Sequence, residues 1–258
     1  MKIFKELYDY RQMIFGLVKK DLRGRYKGSV LGFLWTFINP LLQLLVYTLV
    51  FSVILGSNIE KYYLYLFVAL IPWIFFSSSI AGGSSCVLNQ KGMVTKIYFP
   101  REVLPISHVT TCFMNMVYSM VVVIAVSIIS GTPFSIIGYL CLPIIMIVEY
   151  FLALGIAMIV SSLTVFFRDL EYIVGILMMV WQFLTPIMYS IDMVPAWLHG
   201  VFNLNPLTPI VTAYRAVLYE GTIPRLETLL AAVGMGVVFF VLGFLIFGKL
   251  KKRFAEEL

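Results

Sequence analysis

IIGYLCLPIIMIVEYFLALGIAMIVSSLTVFF, running from Ile136 to Phe167, contains one carboxylate, Glu149, and no lysine or arginine. The run exceeds the roughly 18 to 20 apolar residues a helix needs to cross the hydrocarbon of a bilayer. Val30 to Leu55, Val103 to Ile129 and Leu229 to Phe247 repeat the pattern. Tyr62 to Ile80 and Tyr172 to Ser190 are also of spanning length and carry Pro72 and Pro186, which a membrane helix tolerates when neighbours satisfy the freed carbonyls. The reading is an all-α integral membrane protein with six transmembrane helices, at approximately 30–55, 62–80, 103–129, 136–167, 170–190 and 228–248. An outer-membrane barrel is excluded, because its strands alternate apolar and polar residues over about ten positions whereas these runs are continuous.

Composition agrees: of 258 residues 61% are hydrophobic and only 12% charged, more apolar material than a soluble core of this size encloses. Lysine and arginine set the orientation, since short loops rich in them stay cytoplasmic. With six spans, 16 of the 19 fall on one side, and only Lys61, Arg215 and Arg225 fall on the other. Both termini are therefore expected in the cytoplasm. The net charge of +6 is then a consequence of topology and calls for no nucleic-acid partner. Met1 to Tyr26 mixes charged and apolar residues without an uncharged central run, so it does not read as a secretory signal.

Outside the spans, three segments have distinct character. Residues 1–28 form an amphipathic interface helix, with Ile3, Leu7, Ile14, Val18 and Leu22 on one face and Lys5, Asp9, Gln12, Lys19 and Arg23 on another; residues 29–258 form the spanning domain. Residues 87–98 carry Asn89, Gln90, Lys91 and Lys96 ahead of Tyr98, Phe99 and Pro100, read as a short polar helix stopped by proline and suited to meeting a soluble partner, the alternative being a plain connecting loop. Residues 193–220, broken by Pro195, Pro206 and Pro209, are expected to form short re-entrant helices before the last span, the alternative being a plain external loop.

Two polar stripes stand out inside the spans. Thr36, Asn39, Gln43 and Tyr47 share one face of the first, and His108, Thr111, Asn115 and Ser119 one face of the third, at 3.6 residues per turn. Such faces turn away from lipid, either as glue between helices or toward a hydrated passage. Among the outer aromatics Trp181 and Tyr189 are placed with this passage; belts at the interface explain most of the others. Glu149 is either neutral and structural or part of a polar path. His108 and His199 fall on opposite sides and share no metal, and Cys86, Cys112 and Cys141 read as packing residues. Gly243 to Leu250 reads GFLIFGKL, which lacks the final Ser or Thr of a phosphate loop and lies in a span. No nucleotide cofactor is therefore expected on this chain, and a membrane glycosyltransferase or polymerase is disfavoured by the lack of paired carboxylates.

Four blocks carry a resemblance to a known family. They are Lys20-Asp21-Leu22-Arg23-Gly24-Arg25-Tyr26-Lys27-Gly28-Ser29, with Leu34-Trp35 following; Tyr98-Phe99-Pro100-Arg101-Glu102-Val103-Leu104-Pro105; Phe167-Arg168-Asp169-Leu170; and Asn205-Pro206-Leu207-Thr208-Pro209, with Tyr214-Arg215 following. Over nearly its whole length the chain resembles the Wzm-like permease subunits of ABC exporters that move lipid-linked O antigen, teichoic acid or capsule polysaccharide. The resemblance implies a homodimer in the bacterial inner membrane, joined to two copies of a cassette ATPase that holds ATP and Mg. It implies a channel for a polyprenyl-diphosphate-linked glycan, O antigen first, lined here by Thr36, Asn39, Gln43, Tyr47, His108, Asn115, Trp181 and Tyr189. It also implies a coupling helix contacting the ATPase through Asn89, Gln90, Lys91, Met93 and Lys96, and outer gating helices within Pro195 to Tyr219. The cluster Lys20, Arg23, Arg25 and Lys27 would attract the diphosphate or lipid headgroups.

Overall fold

The computed structural model describes residues 2–26, 28–54, 56–133 and 135–258, without the side chains of residues 2–4, 25, 26 and 255. Among them there is no strand. The helices are α1 (Lys2–Asp9), α2 (Arg11–Tyr26), α3 (Trp35–Thr48), α4 (Tyr62–Ser84), α5 (Lys91–Lys96), α6 (Val103–Ile129), α7 (Ile136–Phe166), α8 (Leu170–Phe183), α9 (His199–Leu204), α10 (Leu207–Leu218), α11 (Leu226–Leu250) and α12 (Phe254–Glu257). Five continuous helical stretches are long and apolar enough to span: Gly32–Ile54, which contains α3 and a wider π-type turn at Leu49–Ile54, then α4, α6, α7 and Leu226–Arg253.

The fifth of the six expected spans differs. Residues 170–190 are helical only to Phe183, because Pro186 has no N–H to give and disfavours the helical conformation at Thr185. Fourteen residues reach about 21 Å, short of a hydrocarbon core of about 30 Å. The chain beyond α8 continues as irregular, mostly buried backbone whose carbonyls are satisfied by distant side chains. Asn205 Nδ2 donates to Leu184 O (3.0 Å), Arg215 Nη2 to Ile187 O (2.7 Å), Tyr62 Oη to Met188 O (2.8 Å) and Tyr65 Oη to Tyr189 O (3.0 Å). Non-helical backbone at membrane depth survives only when protein supplies such partners.

Helix α4 is the centre of the bundle, buried along most of its length and touching α3, α6, α7, α8 and α10. Helices α7 and α11 meet backbone to backbone. A Cβ on Gly155 would lie 2.4 Å from Phe239 O, and one on Gly243 would lie 2.1 Å from Gly155 O. Small residues at such crossings let helices gain close van der Waals contact where lipid offers no hydrophobic driving force. Gly243 also begins the GFLIFGKL sequence, which is continuous helix with no phosphate-cradling loop.

The N-terminal segment, expected as one amphipathic helix, breaks at Tyr10 into α1 and α2. Val18 is buried and Leu7, Ile14 and Leu22 are half-buried, while Lys5, Asp9, Gln12, Lys19 and Arg23 are exposed, so the amphipathic division holds wherever side chains are described. Helix α2 packs against α6. Segment 87–98 becomes a 3-10 turn at Leu88–Gln90 and then α5, ending where Ile97 turns extended. The region 193–220 follows a 3-10 turn at Ile191–Met193 and contains a second at Ala196–Leu198, then α9 and α10, of which α10 is buried against α4, α7 and α11.

Candidate functional site: a polar groove between three spans

A cavity of about 220 Å³ lies between α3, α4 and α6. Its polar lining comes from Thr36 and Asn39, from Ser78, and from Asn115 and Ser119; Trp35, Ile71, Phe75 and Met116 are among its apolar walls. Asn115 sits near the middle of α6, a helix long and apolar enough to span a membrane. Asn39 and Trp35 are exposed, and through them the cavity reaches the surface of the chain. Ser119 Oγ donates to Thr36 O at 3.4 Å, tying the two polar stripes together at their crossing. The groove can solvate hydroxyl-rich material with neutral donors and acceptors, and its aromatic edge offers a flat face.

Of the expected channel residues, Thr36, Asn39 and Asn115 line the groove. Gln43 is half-buried one turn further along α3, and Tyr47 turns toward α8, where Gln182 Nε2 donates to its Oη at 3.3 Å. His108 packs against Gly82, whose missing side chain leaves room for the imidazole, and its Nε2 lies 3.2 Å from Ser78 O. Trp181 and Tyr189 stand at the corner where α8 meets the segment before α9. Trp181 Nε1 donates to Asn205 Oδ1 (3.0 Å) and packs edge-on to Phe76, while Tyr189 Oη donates to Phe183 O. Trp35, noted in the sequence only as part of a family block, and Ser78, not noted there, also border the groove. The Ser77-Ser78-Ser79 run inside a span was the available signal for Ser78.

Asn205 is the hub of that corner. Its Oδ1 accepts from Trp181 Nε1 and from Leu207 N (3.0 Å), and its Nδ2 donates to Leu184 O and to Thr185 Oγ1 (2.9 Å). Arg215, expected among the outer loop charges, is instead buried, its guanidinium 3.6 Å from the Tyr65 ring centroid. Glu149 is fully buried and accepts from Tyr214 Oη at 2.8 Å, so it faces α10 and lies away from the groove. No cluster of potential metal ligands occurs among the described residues.

At the opposite end of the bundle, Asn89, Lys91 and Lys96 are exposed and Gln90 and Met93 half-buried, beside Ile97 and an 89% exposed Tyr98. Val94 points inward and anchors α5. Lys20 and Arg23 are exposed on α2; the Arg25 side chain and Lys27 lie outside the described residues. Burial pushes the Cys86 thiol up to about 12, with Ser161 opposing by a hydrogen bond, so this cysteine is inert packing.

Residues 12–219 match the family described as ABC-2 type transporter. An O-antigen export system permease protein of Myxococcus xanthus is 35% identical over 260 residues, covering 100% of both chains. A protein of the same description from Klebsiella pneumoniae is 34% identical over 94% of this chain and 93% of its own. The polysialic acid transport protein KpsM of Escherichia coli is 23% identical over 80% of this chain and 81% of its own. With a mostly apolar groove edged by a few amides and hydroxyls between three helices, and a family match that runs from α2 to the end of α10, the chain belongs to the ABC-2 type transporter family.

Proposed function

We propose that this chain is the membrane-spanning permease subunit of an ATP-driven exporter that moves a polyprenyl-diphosphate-linked polysaccharide, O antigen first, across the bacterial inner membrane. The observation that carries the reading is the groove of Thr36, Asn39, Ser78, Asn115 and Ser119, because neutral amides and hydroxyls at membrane depth suit a sugar chain and no step of covalent chemistry. Its support in kind comes from the export permeases that match over the full length. Teichoic acid or capsule is the second reading, favoured by the likeness to a polysialic acid transporter.

In this reading two copies of the chain enclose the passage, each exposing its groove edge at Asn39 and Trp35 toward the other. Two cassette ATPase subunits dock on α5, and both termini lie in the cytoplasm. That orientation puts the cations of α2, α5 and the end of α11 inside, as positive-inside topology requires. Lys20 and Arg23 on α2 sit where a diphosphate or lipid headgroup is met at the cytoplasmic interface. Helices α9 and α10 form the outer gate. The chain supplies a path and a coupling surface, and ATP hydrolysis with its Mg belongs to the partner.

The test is export in a cell whose own permease gene is deleted, with the cassette ATPase retained and surface glycan measured by immunoblot. This chain restores surface glycan; Asn39→Leu together with Asn115→Leu assembles with the ATPase but lowers export at least tenfold. Full export by that double variant would remove the groove from the pathway. Cysteine labelling by an impermeant reagent at Arg225→Cys from the cytoplasmic face only would overturn the orientation.

A further inference from the structure

The exit of α5 is held by the segment that follows the last span. Glu102, at the N-terminus of α6, is 1% exposed, and its Oε1 receives Lys251 Nζ at 2.5 Å while Oε2 is buried with no hydrogen-bond partner among the described residues. The neighbouring Arg101 donates through Nη1 to Lys251 O and lies 5.7 Å above the Phe254 ring. Phe254 is fully buried, edge-on to Phe247 of α11 at 5.5 Å and to Phe166 of α7 at 6.3 Å, and α12 itself touches α5. On the other flank Tyr10 Oη donates to Tyr98 O at 3.4 Å.

The arrangement costs more than packing alone requires. A carboxylate taken out of water with a single partner is an expensive way to join two helix ends, and an apolar pair of similar volume would hold them as well. What the ion pair adds is direction: it fixes Arg101-Glu102, separated from α5 by four residues, to the end of α11 at one distance. We propose that Lys251, with Arg101 and Phe254, is a positioning clamp for coupling, so that displacement of α5 is delivered to α6 and α11 together instead of being lost in the Ile97–Pro100 connection. The clamp rests on reading α5 as the element that meets the ATPase. Without it, α5 is joined to α6 by extended backbone at Ile97, with Tyr98 largely exposed, a connection that bends under load.

The test uses the chain co-expressed with its cassette ATPase, and two readouts: ATPase retained through affinity purification of this chain, and glycan exported per ATP hydrolysed. Lys251→Met keeps ATPase retention within twofold and lowers export per ATP at least fivefold; Lys251→Arg restores it to within twofold. The double variant Glu102→Gln/Lys251→Met decides between positioning and mere stability. It leaves no buried unpaired charge, so a structural defect would be relieved, whereas a lost clamp keeps export per ATP at least fivefold down. Recovery in the double variant, or normal export per ATP in Lys251→Met, overturns the clamp. Replacement of Asn89 to Thr95 by a Gly/Ser segment tests the underlying reading separately: that variant loses ATPase retention if α5 is the docking element, whatever Lys251 does. Retention and export both intact there would overturn the coupling role of α5 and the clamp with it.

Discussion

Gly243→Ala adds one methyl group at the tightest approach between α7 and α11. The new Cβ would lie 2.1 Å from Gly155 O and 2.7 Å from Gly155 C and Cα, whereas ordinary contact begins at 3.4 Å. The obstacle is backbone and cannot rotate away, so the helices must part by roughly 1.3 Å (3.4 − 2.1). At about 0.15 kcal/mol per atom pair, a gap of this size forfeits about half the attraction of the few tens of pairs along the crossing, about 2–3 kcal/mol. The alanine's intrinsic helix preference returns about 1 kcal/mol. The net loss of about 1–2 kcal/mol corresponds to a fall of roughly 2–8 °C in Tm for a chain of this length. Gly234→Ala and Gly248→Ala are internal controls on the same helix, because nothing lies within 4 Å of either new Cβ, and they should hold or raise Tm. Thermal unfolding of detergent-purified protein, followed by tryptophan fluorescence, reads all three. A Gly243→Ala variant as stable as Gly248→Ala would refute the backbone-to-backbone crossing.

Other outcomes follow from single buried groups. Asn205→Ala removes four hydrogen bonds and strands the Leu184 carbonyl and Trp181 indole, so it should lower stability by about 2–4 kcal/mol in the same assay; an unchanged Tm would mean the corner is held by packing alone. Glu149→Gln keeps an acceptor for Tyr214 and should export within twofold of the unaltered chain, since among the described residues no other titratable group hydrogen-bonds to it; complete loss in a normally assembled variant would give it a proton-carrying role. Cys86, its thiol raised to about 12, should react with maleimide at pH 7.5 at least tenfold more slowly than a cysteine at the exposed Tyr98 position. Because a raised pKa leaves the thiol protonated below it, that rate climbs about tenfold per pH unit on the alkaline side; a rate flat between pH 7 and 9 would contradict the burial.

The spans were legible because they depend only on continuous apolar length, and α4, α6, α7 and α11 begin and end within a few residues of where charge and proline place them. The end of α8 was less so. Pro186 was visible, but whether a proline kinks a span or ends it depends on what receives the freed carbonyls, and those donors, Tyr62, Tyr65, Asn205 and Arg215, come from 21 to 126 residues away. The polar stripes were half legible for the same reason. Spacing puts Thr36, Asn39, Gln43 and Tyr47 on one face, but a face is about a quarter-turn wide, and two neighbours, α6 below and α8 above, divide it between groove and glue. Likewise Thr111 turns its hydroxyl back to Ser107 O, and His108 is claimed by the space over Gly82.

Arg215 shows why charge counting and burial answer different questions. Counted from the sequence it is one of three outer cations; in the fold it is 7% exposed, shared between the Tyr65 ring and Ile187 O. Together with Tyr214 on Glu149 and Asn205 on Trp181, it fastens α10 and its approach to α7, α4 and α8 at once. Each bond is worth about 1 kcal/mol in such surroundings, yet all are directional and buried, so a partial shift of α10 strands donors and acceptors without replacing them. Under the proposed reading of α10 as an outer gate and α5 as the docking element, such a gate would have discrete positions: α10 would either keep the whole set or exchange it for another, and work arriving from α5 through α6 would have to release the contacts together.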